Sequence, residues 1–346
     1  MPARCPFSFC ATLDSMPTPT IHYGFAPSGE RGRAVDNHVR RVLADSLEHI
    51  LEQSIGHIHC DAPAINTLVA NLRRGDRYPP AVFGIYAEIA IALLEGRNQN
   101  AEVLLADLVR IAPLDTSQRL LTLGDTDIEE HTQRYRSLMD TDPYASFAML
   151  RPPDAMAQDF RARFERVYQM MTHLLPELAA EFDALVSEII MVVGEQGAAF
   201  EFDGGSSYML WGGLFINVSS HDSDISMIEV LAHESAHILL YGYSTEEALV
   251  ENADDELYAS PLRTDLRPMD GIYHATYVSV RVHWAMSRLL ETTALDPEAR
   301  LTAERAREGY KKSFAAGYAV VASHGRLTQT GTAVMREAKA YMDAVA

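Results

Sequence analysis

The chain has 346 residues, 47% of them apolar, and a formal net charge of −19. That is enough apolar material for one large core or two modest ones. The charge excludes a basic nucleic-acid grip, which works by displacing counterions, and it disfavours docking on anionic lipid.

Three scattered cysteines, Cys5, Cys10 and Cys60, form no Cys-x-x-Cys pair, so a reduced, cytoplasmic setting is expected rather than a disulfide framework. Residues 1–33 are rich in Pro, Gly, Ser and Thr and read as an irregular arm; Met1 to Ser15 make a poor signal peptide. Val35, Val39, Val42, Leu43, Leu47 and Ile50 recur at helical spacing and predict a helix over 35–55. A second helix is predicted over 80–95, opened by Pro80 and closed by Gly96. Further helical text covers 100–111, 127–139, 155–174 and 177–193. A helical region thus runs over 34–150. A weak boundary at Arg151-Pro152-Pro153 sets it off from a metal-binding region over 151–346, unless the two form one domain. No run reaches the apolar length that spans a bilayer.

The text changes at Gly194. Ala199-Phe200-Glu201-Phe202, Tyr208-Met209-Leu210-Trp211 and Leu214–Val218, punctuated by Gly204-Gly205 and Gly212-Gly213, predict a small antiparallel sheet with hairpin turns. A helix follows from about Asp224 to Tyr241, capped by Ser223 or Asp222 and ended by Gly242. An irregular segment runs through Pro261 and Pro268. Helical text resumes at Gly271 and, with a break at Asp296-Pro297, reaches the C-terminus. The expected class is mainly α with a small antiparallel β element preceding the helix that carries His-Glu-x-x-His.

That motif is His233-Glu234-Ser235-Ala236-His237. Residues four apart share a helix face, so both imidazoles can aim at one ion, and neutral imidazole suits zinc and iron(II) alike. Glu234 can reach the open side of such an ion as a catalytic base, or hold a bound water. A third protein ligand is needed. In a zinc metallopeptidase with Glu234 as general base it would be a glutamate such as Glu247, Glu251 or Glu256. A closed, four-ligand shell would instead mark a non-catalytic, peptide-binding protein with a structural metal. Plainer readings stand beside these. His57-Ile58-His59-Cys60-Asp61 reads as a solvated loop, since residues two apart diverge on a helix, and the acidic run 246–256 as a solvated face.

A second run, Ser260 to Tyr277, contains Arg263, Arg267 and His274, with Arg281 two turns beyond His274. Arginine binds carboxylates bidentately and stays charged, which suits an anionic, metal-chelating cosubstrate. By themselves His274 could pair with Asp270, and Arg267 with Asp265 or Asp270. Together the two motifs resemble the HExxH-type peptide β-hydroxylases, iron(II) and 2-oxoglutarate enzymes found beside ribosomally synthesised, post-translationally modified peptides. The family pattern falls on His233, Glu234, His237, Ser260, Pro261, Arg263, Asp265, Arg267, Pro268, Gly271 and His274. Leu262 stands where an aromatic residue is common, and Ala275 where glycine is common. The resemblance implies a dioxygenase that uses O2 to hydroxylate a side-chain β-carbon in a precursor peptide. It implies iron ligation by His233, His237 and His274, and 2-oxoglutarate binding by Arg267, or else Arg263 or Arg281. Pairing of the peptide with the strand Leu214–Val218 is a further expectation.

Overall fold

The computed structural model describes residues 22–53, 57–115, 119–139, 148–195, 203–260 and 265–345. The chain is mainly helical with a small sheet. In order it runs α1 (Gly29–Gln53), α2 (Ala62–Arg74), α3 (Pro80–Leu94), α4 (Asn98–Leu108), β1 (Arg119–Thr122), a 3-10 turn (Thr126–His131) and α5 (Thr132–Met139). There follow β2 (Met149–Leu150), α6 (Asp154–Leu174), α7 (Pro176–Leu185), β3 (Glu188–Gly194), β4 (Gly204–Gly205) and β5 (Gly213–Asn217). The last part holds α8 (Asp224–Tyr243), β6 (Leu257–Ala259), β7 (Leu266–Pro268), α9 (Met269–Glu291), α10 (Pro297–His324) and α11 (Gln329–Ala344).

Local chemistry sets these bounds. α1 buries Val35, Val39, Leu43 and Leu47 at helical spacing. The Asp61 carboxylate accepts from the Ala64 N–H at 3.0 Å to cap α2, and Gly75 closes that helix at φ 107°, where a side chain is disfavoured. Ser223 and Ser226 bond reciprocally at the start of α8.

The sheet runs β1-β3-β5-β4. β1, β3 and β5 are parallel; β4 is antiparallel to β5, and β2 is antiparallel to the end of β3. Ile189, Met191, Leu214 and Ile216 enter a large core with α1, α3, α8 and α9. Ile190, Val192 and Phe215 point the other way, into a smaller core with Leu121, Tyr135 and Leu210. That alternation buries the central strands on both faces, as parallel strands require. The large core draws Val35 and Leu43 together with Phe182, Leu185 and Trp211, so it takes residues from both sides of residue 150.

Several expectations need correcting. The sheet is mixed rather than antiparallel. The text over 177–193 divides at Val186, because a short apolar run such as Ile189-Ile190-Met191-Val192 suits strand and helix equally by periodicity. Tyr208–Trp211 is a turn, closed by the Gly213 N–H on Leu210 O at 2.9 Å, and residues 199–202 lie outside those described. β5 is interior, paired on both sides, so it has no open edge at Phe215 and Ile216 for a peptide. α1 begins at Gly29, inside the expected arm. α8 runs through Gly242 to a cap at Ser244; Gly242 is there because a Cβ would collide with Val35 and Trp211. The segment through Pro268 forms the hairpin β6–β7. Among the described residues no helix is long and apolar enough to cross a membrane.

Candidate metal centre

α8 carries a polar stripe on an otherwise buried helix. Glu229, His233, His237 and Tyr241 follow one another at intervals of four and share a face. α9 begins at once after Pro268 and brings His274, 7% exposed, against the stripe. His237 Nε2 lies 3.2 Å from His233 Nε2, and His237 Nδ1 lies 3.1 Å from His274 Nδ1. The ring of Tyr241 stacks on His237 at 6.3 Å and lies tilted against His274 at 5.3 Å. Its hydroxyl donates to Ser206 O at 3.4 Å.

Three sequence-predicted residues are therefore neighbours. Burial pulls the His233 imidazole down to about 4, against the raising effect of Asp203. Burial also lowers His237, with help from its two histidine neighbours, and lowers His274, which Asp270 partly opposes. All three rings are neutral at pH 7, the state in which imidazole ligates metal. Both nitrogen spacings are of hydrogen-bond length, and they use opposite nitrogens of the His237 ring. One feature differs from a finished shell. His237 offers Nε2 to one neighbour and Nδ1 to the other, so the three rings form a hydrogen-bonded chain. Among the described residues no group of three or more His, Cys, Asp or Glu is placed to hold a metal ion. Neutral imidazole is the donor type a divalent ion takes, but as placed His237 links its two neighbours in a chain and the three nitrogens share no common point.

Glu234 lies beside the trio and is 6% exposed. Burial raises it to about 8, while the Ser206 hydroxyl donates to Oε2 at 3.3 Å. With no cation nearby it is a protonated carboxyl at neutral pH. Glu229 accepts a bond of 2.7 Å from Tyr310 of α10, at the other end of the stripe. Sequence reasoning missed Tyr241, Glu229, Ser206 and Tyr310. The spacing that found the two histidines also reaches Tyr241 and Glu229; Ser206 and Tyr310 come from distant segments and leave no such mark.

The remaining candidates separate. Arg267, in β7, has Nε 2.8 Å from Asp265 Oδ2 and is 20% exposed, so its carboxylate partner is the one the local sequence offered. Arg263 lies outside the described residues. Arg281 is not brought to the histidines: it is 1% exposed, ion-paired with Glu181 and donating to Phe25 O at 3.0 Å. The peptidase-type glutamates also lie elsewhere. Glu247 accepts from the Thr330 N–H at 2.9 Å, Glu256 pairs with Arg326 at 2.7 Å, and Glu251 is exposed beside Arg326. His57 and His59 sit on an exposed loop, where Asp61 serves as a helix cap.

A comparison with models of protein families returns no match, and neither does a comparison with curated proteins.

Proposed function

We propose that this protein is an iron(II)- and 2-oxoglutarate-dependent oxygenase that hydroxylates a side-chain β-carbon in a ribosomally made precursor peptide. The observation that carries the reading is His274 standing 3.1 Å from His237, on a helix that the arginine-bearing strand β7 feeds directly. Iron would be held by His233, His237 and His274; when bound it supplies the chemistry that couples decarboxylation of 2-oxoglutarate to oxidation of a C–H bond by O2.

The chain's own residues do the rest. Burial keeps the imidazoles neutral, and Tyr241 holds two of them in place through its ring. Arg267 takes the distal carboxylate of 2-oxoglutarate, exchanging Asp265 for it; Arg263 is the alternative. Ser206 fixes Glu234 at the rim, where it orients water or substrate. The peptide adds to β4, which ends the sheet among the described residues and packs Gly204 against Val230 and Glu234. A peptide on that edge would approach the histidines from the side of Glu234. A zinc peptidase with a glutamate as third ligand would need Glu247, Glu251 or Glu256 beside the histidines, and these are held elsewhere.

The test is anaerobic addition of Fe(II) and 2-oxoglutarate, followed by O2. A weak absorption near about 500 nm, then succinate formation, is expected from a chelated cosubstrate. Zinc-dependent peptide cleavage with no consumption of 2-oxoglutarate would overturn the reading.

A further inference from the structure

A cleft of about 520 Å3 opens between α9 and α10, bounded at one end by Val345 after α11. It lies away from the histidine trio. His283, on its wall, is nine residues beyond His274, so it sits about 13 Å along α9 and half a turn round it.

Two basic residues one turn apart on α10, Arg307 and Lys311, line the cleft and face His283. His283 is 3% exposed and bonds through Nδ1 to the Tyr341 hydroxyl at 3.1 Å. Its Nε2 makes no hydrogen bond among the described residues. Lys311 makes no ion pair among the described residues. Arg307 touches Glu308 through Nη2 alone, at 3.2 Å. The acids at the rim, Glu308 and Glu291, are 56% and 61% exposed, and Arg288 occupies Glu291 at 2.6 Å. Three cations therefore meet two carboxylates in a chain of net charge −19 whose only lysines are 311, 312 and 339. Lys311 is thus left beside Arg307 without a carboxylate partner among the described residues, and an added anion would complete the arrangement.

We propose that this cleft binds the phosphate group of a small phosphorylated molecule, held by Arg307, Lys311 and Nε2 of His283. Two positive side chains match a dianion, and three donors arriving from two helices match its tetrahedral oxygens better than a flat carboxylate. The cleft has room for the organic part of such a molecule, with Leu290 as its apolar wall.

Calorimetric titration of the full chain with inorganic phosphate tests this, with acetate as the competing anion. Saturable phosphate binding is expected, weakened at least 10-fold by Arg307→Gln and by Lys311→Gln and unchanged by Lys312→Gln, whose side chain is exposed nearby. Iron content and 2-oxoglutarate turnover should be the same in all three variants, so the two proposals fail separately. The proposal is overturned by absent binding in the wild type, by undiminished affinity in the two cleft variants, by an equal loss in Lys312→Gln, or by acetate binding as tightly as phosphate.

Discussion

Tyr241 and Arg267 show how much single side chains decide here. The Tyr241 ring lies against two imidazoles at once, so Tyr241→Ala should loosen both and cut iron affinity about 10- to 100-fold, the usual cost of losing a group that orients ligands. Tyr241→Phe keeps the ring and should cost little; competition with a chromogenic chelator distinguishes the two. Arg267→Ala should weaken 2-oxoglutarate about 10-fold or more, the worth of a charge-assisted hydrogen bond, while metal content stays constant. Equal 2-oxoglutarate affinity in that variant removes its assigned role.

At the scale of elements, α7, α9 and the segment before α1 are tied by a buried ionic cluster. Glu181, fully buried, takes Arg31 at 2.5 Å and also Arg281, and both arginines hold carbonyls of the segment 24–26. Removing the carboxylate strands two guanidinium groups in the interior, so Glu181→Ala should cost about 3–5 kcal/mol in urea denaturation. A loss below 1 kcal/mol would mean that water reaches the cluster. Arg281 was attractive in the sequence because it lies two turns beyond His274, yet its function is set by Glu181, a hundred residues away, and no local pattern announces that partner. Elements with a clear start or a periodic face were legible: α3 through its opening proline, α6 through its apolar spacing and α8 through its Ser223 cap. β1 and β3 were not, because their pairing is between segments far apart in sequence and their short apolar runs carry no distinctive period. The histidine trio was half legible. His233 and His237 followed from spacing on one helix, whereas His274 came from a resemblance and has its neighbours only through the packing of α8 on α9.

For the whole molecule, buried titratable groups dominate the response to pH. His38, His131, His233, His237, His274 and His283 are all lowered, chiefly by burial. Below about pH 6.5 the unfolded chain takes up protons that the folded chain refuses, so stability falls as pH drops from there towards 4. Glu188, Glu229 and Glu234 are raised by burial and work in the opposite sense: the folded chain keeps protons that the unfolded chain releases above about pH 4.5. For Glu234 that loss continues to about pH 8. The urea midpoint of the metal-free protein should rise from pH 4 to 6.5 and then decline, and Glu234→Gln should flatten the decline. A midpoint that keeps rising to pH 8 in the wild type would contradict these assignments.

The proposed function stands or falls on whether three imidazoles, from α8 and α9, hold one divalent ion. Anaerobic Fe(II) titration of the wild type, His274→Ala and Glu247→Gln decides this: one tightly held iron per chain is expected in the wild type and in Glu247→Gln, and none in His274→Ala. Full iron binding by His274→Ala, or its loss in Glu247→Gln, would contradict it.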